Sequence, residues 1–195
     1  MAGFASLPRL SFEEFLNRNE RSESKLEYLQ GVVYAMAGAS GYHNGIAARC
    51  LIALGNRLRS KGCEVLGSNQ MVELPRREAA FYPDVLVVCG SKLSRSNKPL
   101  DNPVLVIEIL SPSTRLYDLG TKLSHYQRVP ALRHILFVDS EKLELRVYSR
   151  GEGEVWPGNP AVFLDRGQTI ALAALGIELS LDDIYEGLDF AGADV

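Results

Sequence analysis

The chain has no apolar run approaching the roughly 18 residues that would cross a bilayer, so no membrane span is expected. Its first residues, MAGFASLPRLSFEEF, lack a basic segment followed by an apolar block, which argues against a secretory signal. Cysteine is scarce: Cys50, Cys63 and Cys89 are odd in number, widely spaced and without a CxxC pair. A disulfide framework and a zinc site are therefore not expected, and three thiols in apolar contexts read as core fillers of a cytoplasmic protein. An excess of basic charge is missing too. The net charge is −3, whereas proteins that coat DNA without specificity are usually basic. Any contact with nucleic acid would have to come from a local basic surface. GxGxxG and P-loop patterns, internal repeats and low-complexity segments are also absent.

What is present is an ordinary globular balance. With 195 residues, 46% hydrophobic and 23% charged, the chain can bury one sizeable core but not two large ones. One domain over residues 1–195 is expected, with its core in 11–187 and loosely ordered ends. Ser11 with Glu14 three residues on is a capping-box pattern, which predicts a short helix to Asn19. In KLEYLQGVVYAMAG, Gly31 and the run Val32-Val33-Tyr34 predict a helix end or a turn feeding a strand.

From His43 to Lys61, residues Ile46, Ala47, Cys50, Leu51, Leu54 and Leu58 recur at helical spacing, and Gly62 is a stop signal. Three extended segments follow: Glu64 to Leu74, Asp84 to Val88, and Val104 to Leu110. The last two carry VLVV and VLVI, the pattern of strands covered on both faces. A helix from Ser113 or Thr114 to about Arg128 would bury Leu116, Leu119, Leu123 and Tyr126, with Pro130 ending it. HILFVD and LELRVYS read as two more strands. A Gly/Pro-rich stretch, a short strand near Val162 and a terminal helix or turn near Leu181 to Glu186 complete the chain. The core order αβββαβ predicts an α/β fold, a central mixed β-sheet flanked by helices, not a doubly wound nucleotide fold.

Glu108 breaks this apolar pattern. It sits inside VLVIEIL, where an unpaired carboxylate would cost several kcal/mol or stay protonated. A metal ion or a close cationic partner removes that penalty; a strand end reaching solvent would remove it as well. Asp84, after Pro83 and before VLVV, could simply begin a strand. As a pair on neighbouring strands, the two carboxylates could converge on one hard cation that prefers oxygen ligands. Lys122 has Asp118 four residues before it, which on its own is a common helix-surface pair of little worth. Glu27 lies in a polar region with Glu13, Glu14, Glu20 and Glu23.

The strings YPDVLVV, NPVLVIEILSPSTRLYDLGTKLSHYQ and HILFVD, with the entry segment KLEYLQGVVYAMAGAS and the pair His43-Asn44, resemble the Uma2 family of restriction endonucleases. The resemblance runs from about Ser11 to Gly187. It implies a restriction-endonuclease-like fold of the PD-(D/E)XK kind and Mg²⁺-dependent (or Mn²⁺-dependent) hydrolysis of DNA, with homodimers as the expected assembly. The alternative is a nucleic-acid-binding or interaction protein that keeps the fold without catalysis. The resemblance places Asp84 and Glu108 on the metal, with the Ile109 carbonyl as a further ligand. The usual lysine two residues after the acid is replaced by Leu110, and Lys122 on the following helix is expected to take its role. Glu27 would add to the site. His43, Tyr126 and Gln127 are candidate substrate contacts, and Arg76, Arg77, Lys92, Arg95 and Lys98 are candidate phosphate contacts.

Overall fold

A computed structural model describes residues 9–36, 38–90 and 98–190. Helix α1 (Phe12–Glu20) starts at Ser11, which accepts from the Glu14 backbone while Glu14 reaches back to the Ser11 N–H. Strands β1 (Leu26–Leu29) and β2 (Val32–Ala35) form a hairpin. KLEYL is thus a strand entering a turn rather than a helix end. Gln30 and Gly31 take positive φ there, 46° and 91°, and a side chain at Gly31 would strike Arg9 Cβ at 2.5 Å.

Helix α2 (Gly41–Leu58) is capped by the Ser40 side chain and buries Ile46, Cys50, Ala53, Leu54 and Leu58. Strands β3 (Cys63–Gly67), β4 (Val72–Glu73), β5 (Ala79–Phe81), β6 (Val85–Cys89) and β7 (Leu105–Leu110) follow. The expected single extended stretch Glu64–Leu74 is divided between two sheets: β3 pairs with β6, and β4 pairs with β5. The next helical run has three parts: α3 (Arg115–Tyr117), a π-helical turn (Asp118–Lys122) and α4 (Leu123–Tyr126). Then come β8 (His134–Asp139), β9 (Leu145–Ser149), β10 (Ala161–Phe163), a hairpin of β11 (Thr169–Leu172) and β12 (Ile177–Ser180), and α5 (Leu181–Tyr185).

The central sheet has the order β10-β9-β8-β7-β6-β3, and β7–β8 is its parallel pair. A parallel pair needs a crossover, and the α3–α4 run supplies it. Every residue of β7 and β8 is buried. Odd positions of the middle strands (Val85, Val87, Ile107, Ile109) pack under α2, α5 and the last hairpin. Even ones (Leu86, Val88, Val106, Leu110) pack against Tyr126, Val129 and the strand β5. The four-stranded sheet β2-β1-β5-β4 carries a third apolar cluster with α1.

Two further expectations are corrected. Leu116 is 88% exposed, because the extra residue of the π turn rotates the helical stripe and brings Asp118 and Lys122 inward; Tyr126 is buried as expected, and Leu119 and Leu123 are partly buried. Cys63 and Cys89 are disulfide-bonded, because the β3–β6 register sets them directly opposite with Cα atoms 4.0 Å apart. Cys50 stays free in the core, where burial pushes its thiol up to about 12. Most of the chain ends expected to be loose lie outside the described residues.

Candidate active site

Alternation along β7 turns Glu108 toward the face that carries the α3–α4 run, with Val106 and Leu110 on either side. It is 3% exposed. Two donors meet it there: Lys122 Nζ at 3.1 Å and the Tyr126 hydroxyl at 2.6 Å, both on Oε1. Lys122 is itself buried and reaches two more carboxylates, Glu27 Oε1 at 3.0 Å and Asp118 Oδ1 at 3.5 Å. Glu27 arrives from β1 and is fixed by the Tyr82 backbone N–H, which donates to Oε1 at 3.0 Å. One lysine therefore faces three buried carboxylates.

Asp84 stands just before β6. The β6–β7 register pairs Val85 with Ile107, and one residue further along it sets Asp84 opposite Glu108, on the same sheet face. Asp84 Oδ2 accepts from the Ile109 N–H at 2.8 Å, which ties it to the residue next to Glu108. His43 Nε2 lies 3.3 Å from the same oxygen. His43 is delivered by the first turn of α2, where its own N–H donates to Ser40 Oγ. Its Nδ1 is buried without a hydrogen-bond partner.

The charges shift one another. Burial, reinforced by Asp118, Asp84 and Glu27 and opposed by Lys122, holds the Glu108 carboxyl well above the usual carboxylate range. Burial also raises Glu27 and Asp118, again against Lys122. For Lys122, burial favours the neutral amine but is outweighed by Glu108, Glu27 and Asp118, so it is held well above the ordinary lysine value. For His43, burial is outweighed by Asp84, Asp118 and the Ile109 backbone, and its proton is held more tightly. Burial displaces Tyr126 upward as well, with Glu108 adding to it.

Asp84, Glu108, Lys122 and Glu27 thus come together, with the Ile109 backbone beside Asp84. Tyr126 is fully buried and hydrogen-bonds Glu108, so it supports the carboxylate and does not line an open cleft. Gln127 is half-buried, and its carbonyl accepts from Trp156 and Arg150. Arg77 pairs with Glu13 and Glu73, away from the cluster. Arg76 borders a separate depression with Pro75, Asp101 and Pro130. Lys98 is exposed, while Lys92 and Arg95 lie outside the described residues. Asp118 is the member that sequence reasoning left on the surface. A signal existed: Asp118, Lys122 and Tyr126 repeat every fourth residue, a polar stripe on a helix that must cover a sheet.

Among the described residues, no group of three or more His, Cys, Asp or Glu side chains forms a metal cage. The donors available to a cation are the Asp84 and Glu108 carboxylates and the Ile109 carbonyl, all hard oxygens. That set fits Mg²⁺, which is commonly bound through one or two carboxylates and keeps several waters, better than a metal that needs nitrogen or sulfur.

A family described as putative restriction endonucleases, Uma2, matches residues 12–182. The chain belongs to the Uma2 family. Among relatives of this Uma2 protein, the uncharacterized protein slr1290 of Synechocystis sp. is 34% identical over 95% of this chain and 96% of its own length. A second Synechocystis protein, sll1609, is 28% identical over 75% of this chain and 84% of its own. The crystal structure of a putative nuclease belonging to DUF820 from Anabaena variabilis shares the fold. Its TM-score is 0.74 at 18% identity, covering 90% of this chain and 97% of that one. The central mixed sheet flanked by helices is therefore a nuclease-like fold. Among the described residues no helix is long and apolar enough to cross a membrane.

Proposed function

We propose that this Uma2 protein is a Mg²⁺-dependent endonuclease that hydrolyses phosphodiester bonds in DNA, with Asp84, Glu108 and Lys122 as its working residues. The observation that carries the proposal is the buried meeting of Lys122 with Glu108 beside Asp84, within a nuclease-like fold. Asp84 and Glu108, with the Ile109 carbonyl, would hold the cation. When bound, Mg²⁺ supplies a Lewis acid at the scissile phosphate and makes water a stronger nucleophile at neutral pH.

The protein's own groups divide the remaining tasks. Lys122 keeps its proton in this surrounding, so it serves as a fixed positive charge for the pentavalent phosphorus and not as a general base. Glu27 and Asp118 hold its ammonium in place. The Tyr126 hydroxyl fixes the orientation of Glu108. Asp84 holds the His43 proton more tightly than a free imidazole would, and His43 supports that carboxylate.

The competing reading is a fold retained for binding without hydrolysis. It is favoured by the net charge of −3 and by Leu110, which fills the superfamily's lysine place with a core side chain 1% exposed. Incubation of circular DNA with Mg²⁺ or Mn²⁺ decides between them, beside Asp84→Ala and Glu108→Ala proteins. Nicking by the native protein and by neither variant is the expected result. Equal nicking in all three samples contradicts the site, and no nicking in any favours the binding reading.

A further inference from the structure

Tyr34 is 43% exposed on the edge strand β2. In the β1–β2 ladder it is paired directly with Glu27. Paired residues share a sheet face, so an exposed aromatic ring stands beside the carboxylate that holds Lys122. The Tyr34 ring lies against the Tyr117 ring, with centroids 5.8 Å apart. Tyr117 in turn stands over the site, its centroid 5.9 Å from Lys122 Nζ, and packs edge-on against Phe81. Its hydroxyl is buried and has no hydrogen-bond partner. Two tyrosines thus lead from solvent to the cluster, the inner one with an unused hydroxyl.

We infer that Tyr34, backed by Tyr117, is a stacking platform for an unpaired nucleobase next to the scissile phosphate, so that the preferred substrate is single-stranded or locally unpaired DNA. The inference rests on the nuclease reading for the position of the phosphate. A base is the occupant that the surroundings favour. The net charge is −3, and aromatic stacking adds affinity for a nucleic-acid strand, beside any local basic contacts, with little sequence preference. A base inside an intact duplex is stacked on its neighbours and cannot lie on the Tyr34 face.

The test measures binding without divalent metal, so that it does not depend on cleavage. The native protein, Tyr34→Ala and Tyr34→Phe are titrated with a single-stranded oligodeoxynucleotide carrying a fluorescent adenine analogue, and with its duplex. Stacking should quench the analogue in the native and Tyr34→Phe proteins. Tyr34→Ala should abolish the quench and weaken single-strand binding by about tenfold, within the range for loss of one stacked base. Duplex binding should change by less than about twofold on the same scale. Tyr34 is exposed, and an unchanged urea midpoint for Tyr34→Ala separates lost stacking from lost folding. Single-strand binding equal to native in Tyr34→Ala, no quench with the native protein, or equal losses on both DNA forms would overturn the inference. Tyr34-dependent binding without nicking under Mg²⁺ leaves the platform standing and removes the hydrolytic reading. Nicking that is indifferent to Tyr34→Ala does the reverse.

Discussion

At the start of the α3–α4 run, Arg115 pairs with Asp139 and with Glu144, and Lys142 and Arg146 also hold Glu144. At the middle of the same run, Lys122 alone faces Glu27, Glu108 and Asp118. The first network sets three cations against two carboxylates, and its cations keep 28–56% of their side-chain surface in water. The second sets one cation against three carboxylates, and none of its side chains is more than 6% exposed. In the first, Lys142 and Arg146 more than offset the burial of Glu144 and bring its carboxyl below the usual range; in the second, all three carboxylates stay raised. Both networks are joined by hydrogen bonds, so bonding alone does not distinguish them. Charge balance does. The excess of buried negative charge in the second network is what the cation proposed above would offset.

The largest expected effect comes from breaking the unbalanced side. Lys122→Met leaves three buried carboxylates without a counter-charge. It should lower unfolding free energy near neutral pH by about 3–5 kcal/mol, the range for breaking a buried ion pair from one side. Urea denaturation checks this, and a loss below about 1 kcal/mol, the value of a surface pair, would contradict the buried geometry.

His134 extends the comparison to a buried group that has given up its charge. Burial brings it down to about 4 from 6.5. Its Nε2 accepts from the Ala174 N–H at 3.3 Å, which leaves the proton on Nδ1 to be donated to Ser149 Oγ at 2.9 Å. The folded state therefore resists protonation. Above pH 6.5 neither state is protonated and nothing is lost; between 6.5 and about 4 the unfolded chain takes the proton first, so stability falls with pH. The contribution is about 1.4 kcal/mol per pH unit in that window, about 3 kcal/mol in all. Stability curves of His134→Gln should be flatter than native across this window. Parallel curves would show that His134 is not the group responsible.

The smallest effect belongs to the balanced network. Glu144→Gln removes one carboxylate whose partners are partly solvated, and should cost about 1–2 kcal/mol while leaving DNA nicking intact. Nicking lost with Glu144→Gln, in a protein that still folds, would erase the distinction between the two networks.

The sequence made some of this visible and concealed the rest. Glu108 stood out because a carboxylate inside VLVIEIL contradicts its neighbours, and that contradiction is local. Glu27 did not, because Glu13, Glu14, Glu20 and Glu23 make its surroundings look solvated; only the β1 strand turns it inward. Asp118 was hidden by its spacing from Lys122, which is shared by countless surface pairs. The exposure of Leu116 depends on a π turn that no spacing rule anticipates. The Cys63–Cys89 bridge depends on strand register, which an odd count of cysteines cannot reveal. The fold, by contrast, was legible from the order of apolar runs, because two continuous runs with a helical crossover admit few arrangements.

In the proposed nuclease, Glu108 serves chemistry at a cost in stability. Glu108→Gln retains the shape and the oxygen that Lys122 and Tyr126 contact, and removes one of the three carboxylates crowded around Lys122. Nicking of circular DNA under Mg²⁺ and the urea midpoint should be measured on the same preparation. Nicking should disappear while stability rises by about 1 kcal/mol, as for relief of buried like charge. Nicking that persists, or a midpoint that falls together with it, would contradict the claim.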